Sequence, residues 1–255
     1  MTRDGSIRIK TPDEIKLMRE AGRVNYLALA AVRALLQPGI TTADLNAAAE
    51  EILHTHGAYS PFLHYGQPPY PASICVSINE ELVHGIPGKR KLREGDIVSV
   101  DCGTVLNGFV GDSAFTAGVG EISPLAKRII EVTEQALHVG IALMRPGNKT
   151  GDISAAIQQF IEGSGFQVVR EYTGHGVGRS MHEGPQVPNY GSPGTGVLLQ
   201  PGMTIALEPM VLAGGNRTRV LKDRWTVVSA DGSLTAHQEH SVAVTEGDPL
   251  VLTVP

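Results

Sequence analysis

Behind Thr11-Pro12-Asp13-Glu14, apolar residues at Ile15, Met18, Ala21, Val24 and Leu27 keep the spacing of a helix that runs to about Leu36. Thr as N-cap, Pro at the first helical position and Glu three residues after the cap mark its start. Pro38-Gly39 breaks the pattern, and a second helix is predicted from about Thr42 to His56, stopped at Gly57. The same plan returns later. Ser123-Pro124 opens a helix to about Met144, Pro146-Gly147 breaks it, and another helix ends near Gly163. Short β-like runs follow each helix pair: Ser73–Ile78, Ile97–Cys102 and Phe109–Phe115, then Val168–Tyr172, Thr204–Pro209, Thr218–Leu221, Trp225–Ser229 and His240–Val244. Helices grouped apart from strands with hairpin-type turns predict an α+β fold.

The two stretches are copies. At an offset of 108, Pro38/Pro146, Gly39/Gly147, Thr42/Thr150, Asp44/Asp152, Ala47/Ala155, Ala48/Ala156 and Gly57/Gly165 coincide. At an offset of 107, Gly95 meets Gly202, Val98 meets Ile205 and Asp101 meets Glu208. A duplicated unit that ends its core strand in an acid brings acids from both halves to one pseudo-symmetric centre. Acids that converge in an interior repel unless a cation or a proton lies between them.

The local pattern sharpens this. Asn107-Gly108 is a hairpin turn signal, and pairing Leu106 with Phe109 sets Asp101 opposite Ala114 and Asp112 opposite Gly103. Asp101 and Asp112 then share one face as diagonal neighbours, about 7–8 Å apart at the backbone. Val98, Val100 and Cys102 point to the other face. Downstream, Gly174-His175-Gly176-Val177-Gly178 sets an imidazole between glycines, expected to allow tight backbone conformations, and His182, Glu208 and Glu239 follow. Four carboxylates and an imidazole make an oxygen-rich set for two divalent ions (Mn, Fe, Co or Zn), which lower the pKa of a bridging water. His54, His56, His64 and His138 have no supporting acids and read as structural; His237 and His240 flank Glu239 and could support the ligands from behind, though the structural reading is favoured there too.

Composition narrows the class. A hydrophobic fraction of 42% with 18% charged residues over 255 residues is that of a globular protein, as one domain or two small ones. The net charge of −5 gives a nucleic-acid partner no electrostatic support. The start MTRDGSIRIK lacks the apolar core of a signal peptide, and no run reaches the ~20 apolar residues that span a bilayer. Cys75 and Cys102 read as buried thiols of a reducing compartment, so a cytoplasmic enzyme is expected.

Taken together, Ile78-Asn79-Glu80 with His84-Gly85-Ile86-Pro87, Val100-Asp101, Gly111-Asp112, Gly174–Arg179, His182-Glu183, Glu208-Pro209 and Glu239-His240 resemble type I methionine aminopeptidases of the bacterial form. Order and spacing match from about Thr11 to Val244. The resemblance implies the pita-bread fold. It is one catalytic domain over 1–255, with halves of about 12–120 and 121–250 sharing a curved antiparallel sheet with helices on its outer face. It implies removal of the initiator methionine from nascent chains whose second residue is small, by attack of a metal-bridging hydroxide on the first peptide bond. Asp101, Asp112, His175, Glu208 and Glu239 would be the metal ligands, with Glu208 also shuttling a proton. His84 and His182 would contact the substrate amide or the tetrahedral intermediate. Tyr65, Tyr70, Cys75, Met181, Met210 and Trp225 would line the methionine pocket, Met210 equally readable as core. The family further implies a monomer acting on nascent N-termini, with docking near the ribosomal exit.

Three other readings compete, and one of them, a metal-free amidinohydrolase like creatinase, needs an acid cluster broken that here stands whole. An Xaa-Pro peptidase of the same fold carries a large N-terminal domain, whereas about ten residues here precede the first helix. A non-catalytic binding protein on this fold would have lost ligands, and all five stand in the sequence.

Overall fold

The computed structural model describes residues 4–255; Met1-Thr2-Arg3 of the charged N-terminal stretch lie outside the described residues. Four helices form where the pattern places them: α1 (Pro12–Ala34), α2 (Thr42–Thr55), α3 (Pro124–Ala142) and α4 (Thr150–Gly163). Thr11 closes a capping box with Glu14 at the start of α1. The repeated Asp44 and Asp152 do the same work at α2 and α4, accepting from the backbone N–H of Thr41 at 2.9 Å and of Lys149 at 2.7 Å. Each thereby satisfies a donor at its own helix start.

The duplication is visible in the backbone. Gly39 and Gly147 take φ of +95° and +93°, Gly57 and Gly165 +67° and +88°, Gly95 and Gly202 +89° and +88°. These left-handed conformations are open to glycine at little cost.

A nine-stranded sheet runs through both halves. Its path is Asp4–Ile7, Glu183–Pro188, Thr173–Gly176, Thr204–Leu207, Glu239–Ala243, Phe109–Gly118, Ile97–Leu106 and Cys75–Ile78, with Leu250–Val251 added alongside Glu239–Ala243. Neighbours are antiparallel except the Asp4–Ile7/Glu183–Pro188 pair, which is parallel. Val98, Val100 and Cys102 are buried on the helix side with Ala28, Val32, Leu45 and Ala49 of α1 and α2. Ile129, Ala136, Ile153 and Ile157 of α3 and α4 form the counterpart core with Ile205, Leu207 and Val242.

Several strand boundaries depart from the pattern. Val168–Tyr172 is not a strand; pairing covers only Gln167–Val168 and resumes at Thr173–Gly176, because Arg170-Glu171 forms the exposed bend between them. Glu81–Val83, Glu183–Pro188, Met210–Leu212 and Thr235–His237 are strands the apolar alternation did not signal. They are short or interrupted by polar residues, and register with neighbours forms them. Among the described residues no helix is long and apolar enough to cross a membrane.

Candidate metal centre and active site

The Asn107-Gly108 hairpin forms as the sequence requires, with Leu106 opposite Phe109, Asp101 opposite Ala114 and Asp112 opposite Gly103. Ala114 is in turn opposite Glu239 on the next strand, and Ala206 pairs with both His175 and Ser241. Directly opposed residues point to the same face. His175, Glu239, Asp112 and Asp101, on four strands of the sheet, and Glu208, just past the end of Thr204–Leu207, therefore project toward one side of the sheet. Ala114 and Ala206 between them are small, and Gly103 lets Pro61 and Phe62 pack against the strand, since a Cβ there would stand 2.8 Å from each.

His175 Nε2 lies 3.7 Å from Asp112 Oδ2 and 3.5 Å from Glu208 Oε1. Ligand atoms of Asp112, His175 and Glu239 come within 4.8 Å of one another, all three residues buried. Asp101 and Glu208 face the same cavity. The glycines beside His175 do not supply unusual dihedrals, contrary to the sequence expectation; neither Gly174 nor Gly176 has a positive φ. They permit close strand contact instead. A Cβ on Gly174 would stand 2.7 Å from the Ala206 carbonyl oxygen, and one on Gly176 would collide with the Gly184 carbonyl.

Electrostatics show what this cluster lacks in protein partners. Burial pushes Asp112 up to about 7. Burial first, then the charge of Asp112, holds Asp101 and Glu239 well above the usual carboxylate range, and the same two causes act on Glu208. Asp101 Oδ1, Asp112 Oδ1 and Glu239 Oε1 are buried without a hydrogen-bond partner. His175 Nδ1 lies 2.9 Å from the Gly176 carbonyl oxygen. A carbonyl only accepts, so Nδ1 carries the proton and the Nε2 lone pair faces the acids. Buried acids with spare lone pairs and an imidazole in its ligating tautomer fit a divalent metal ion.

The other expected residues converge on the same cavity, which has a volume of about 650 Å³. His84, in a left-handed backbone conformation at φ +60°, meets Tyr172 and Trp225 edge-on at 5.8 and 6.2 Å. Burial, then the nearby His182, lowers its pKa to about 4, so it is neutral. His182 Nδ1 is 3.2 Å from the Tyr65 hydroxyl, and its ring is 4.4 Å from that of His175. Tyr65, Tyr70, Cys75, Met181 and Trp225 line the cavity as well, and Tyr70, Cys75 and Trp225 pack together. The Tyr70 hydroxyl donates to the Gly85 carbonyl at 2.8 Å, next to His84. Trp225 Nε1 donates to the Pro68 carbonyl at 3.0 Å, fixing the Gly66–Tyr70 loop as rim.

Met210 is not at the pocket; it is 1% exposed and packs with Leu82, Val83, Val169 and Leu212. His237, set aside as structural, lies instead beside the acids. Its Nε2 is 3.9 Å from Glu208 Oε2 and 3.7 Å from Glu239 Oε2, and burial lowers its pKa to about 3. Its nearness to Glu239 in the sequence was the available signal, although the two end and begin separate strands, Thr235–His237 and Glu239–Ala243. Arg170, Tyr172, Gln186 and Tyr190 at the mouth were also not singled out.

Fold and site define a metallopeptidase. The model of metallopeptidase family M24 matches residues 16–246. The chain is 49% identical over 244 residues to methionine aminopeptidase 1 of Bacillus subtilis, covering 96% of this chain and 98% of the relative. Crystal structures of methionine aminopeptidases superimpose with a TM-score of 0.95: from Thermotoga maritima at 47% identity, and from Rickettsia prowazekii at 40%, each covering 98% of this chain and 100% of that one. A prolidase from Pyrococcus furiosus, at 21% identity and a TM-score of 0.78, shares the fold alone, with 65% of its length covered. The chain belongs to metallopeptidase family M24 and, within it, to the methionine aminopeptidases.

Proposed function

We propose that the chain removes the N-terminal methionine from nascent polypeptides whose second residue is small, as a single catalytic domain spanning 1–255 with halves of about 12–120 and 121–250. The observation that carries the reading is one cavity with two ends: a soft apolar wall of Tyr65, Tyr70, Cys75, Met181 and Trp225, and the acid cluster beside it. A flexible thioether side chain suits that wall, and the first peptide bond then falls among the polar groups.

Asp101, Asp112 and Glu239 would hold one divalent ion, and Asp112, His175, Glu208 and Glu239 the other, of cobalt, manganese, iron or zinc. When bound, two such ions make water nucleophilic near neutral pH and polarise the scissile carbonyl. Glu208, its pKa raised by burial, takes up a proton on its carboxylate and passes it to the departing amine nitrogen. His84 and His182 hydrogen-bond the substrate amide and the carbonyl oxygen, strengthening as charge grows there. The apolar wall holds the methionine and excludes water.

Cys75 and Cys102 stay free thiols, which supports a cytoplasmic setting. Within the acidic net charge there are two local groups of exposed basic residues. Lys89, Arg90, Lys91 and Arg93 are exposed, as are Arg217, Arg219, Lys222 and Arg224 on and beside strand Thr218–Val220. That strand belongs to one three-stranded sheet with Val227–Ser229 and Glu81–Val83, and Arg90 pairs with Glu81 at 2.8 Å. Such groups support docking at the ribosomal exit, tested by salt-dependent co-sedimentation with ribosomes.

The deciding experiment compares Met-Ala-Ser with Ala-Pro peptides, using metal-stripped and metal-restored protein. Metal-dependent release of methionine is expected. Preference for the Ala-Pro peptide would overturn the substrate reading, and no metal-dependent hydrolysis of either would overturn the enzymatic one.

A further inference from the structure

Behind the loop that carries His182 lies a buried ion pair for which the reading above has no use. Lys10 Nζ is 2.6 Å from Glu183 Oε2, with side chains 4% and 0% exposed. Lys10 also donates to the Arg8 carbonyl at 3.1 Å, and its own backbone N–H donates to the Gly202 carbonyl at 2.8 Å. Glu183 uses its second oxygen, Oε1, to accept the backbone N–H groups of Arg179 at 2.9 Å and Ser180 at 3.1 Å. The carboxylate thus closes the turn between Gly178 and His182 from inside, and Lys10 fixes the carboxylate from the far side. Gly178 leaves no slack, because a Cβ there would run into the Lys10 side chain.

Removing two charges from water is costly, and packed apolar residues usually serve stability as well or better. What an ion pair adds is direction, since three hydrogen bonds converge on one carboxylate in fixed geometry. The residues so held are next to Met181 of the apolar wall and to His182, whose Nδ1 meets Tyr65 at 3.2 Å and whose ring abuts His175 at 4.4 Å. A histidine that acts on developing charge is sensitive to displacement of an ångström or less.

We propose that Lys10 and Glu183 are positioning residues: through the Arg179-Ser180 turn they hold the His182 imidazole at the scissile bond, so that a lysine ahead of the first helix, outside the duplicated halves, sets the rate of the chemical step. The inference rests on the role given to His182 above. It makes the N-terminal strand of the sheet, which pairs with Glu183–Pro188, part of the active-site support.

The test is a double-mutant cycle on the metal-loaded protein, measured well below each variant's melting temperature with a Met-Ala-Ser peptide. Lys10→Met is expected to lower kcat about tenfold or more with KM within about twofold and metal content unchanged. In a His182→Ala background the same substitution is expected to change kcat less than about twofold, because nothing remains to be positioned. Equal fold losses in both backgrounds would overturn the inference, as would an unchanged kcat in folded Lys10→Met. If Lys10→Met does not fold, Glu183→Gln takes its place in the cycle, since Gln keeps an oxygen for the two backbone donors and loses only the ion pair. Full activity of His182→Ala would end the role of His182 and this inference with it, while the peptidase reading would fail only if the parent protein left Met-Ala-Ser intact.

Discussion

Cys75 stands directly opposite Asp101 across adjacent strands. One rung of the sheet therefore joins the apolar wall of the cavity to its acid cluster. A side chain seated against Cys75 places the next atoms of its backbone over the carboxylates, and the sheet's pleat fixes that separation.

His84 and His182 face the cavity as neutral or hydrogen-bonded imidazoles rather than as members of the acid cluster. Replacing either with Ala should lower kcat by about 10²-fold, the usual cost of removing one donor from a developing oxyanion. Bound metal, read by elemental analysis, should stay as in the parent. Loss of metal together with activity would make the histidine a ligand.

Asp112 is buried at 2% exposure with one oxygen unpartnered. Asp112→Asn removes a charge that disfavours ionisation of Asp101, Glu208 and Glu239. The variant should fold, melt in the metal-free state no lower than the parent near pH 8, and lose metal-dependent activity by about 100-fold or more. Circular dichroism with elemental analysis checks this; full activity would take Asp112 out of the ligand set.

The metal-free protein should lose stability as pH rises from about 6.5 toward 8. Burial holds Asp112 at about 7, with Asp101, Glu208 and Glu239 raised too. Such acids keep protons in the fold that the unfolded chain has released, so stability falls across the interval between the two pKa values. Buried His84, His237 and His240, lowered to about 4, 3 and 4, act oppositely, but most of their gain is made below the ordinary value of 6.5. Above that pH the raised carboxylates outweigh what remains of the histidine gain. Tm measured at intervals should therefore decline for stripped protein and hold steady once divalent metal is restored; a rising Tm in the stripped protein would contradict the raised pKa values.

Gly66 has φ +74°, and a Cβ there would lie 2.5 Å from the Trp225 ring. Gly66→Ala should therefore displace the indole from the pocket rim and cost about 1 kcal/mol of backbone strain. KM for a methionyl peptide should rise several-fold with kcat largely kept. An unchanged KM would separate Trp225 from methionine binding.

Much of this architecture was legible from residue order, because local rules govern those parts. The α1 capping box, the Pro-Gly breaks and the Asn107-Gly108 turn depend on neighbours a few residues away, and the hairpin register placed Asp101 and Asp112 on one face before any coordinates. Val168–Tyr172 misled because an apolar run does not reveal that Arg170-Glu171 must bend outward to start the next strand. Met210 could be read as pocket or as core, and only packing against Leu82 and Val169 decides for the core.

By itself the chain determined its duplication, its helices and the list of acids, since periodicity, caps and turn chemistry are written in short windows. The tertiary structure alone decided the strand order that brings those acids to one cavity, that His237 stands 3.7 Å from Glu239, and that Lys10 reaches Glu183 across the fold. Those relations join residues far apart in sequence. Their distances are set by sheet order and packing, which no local pattern encodes.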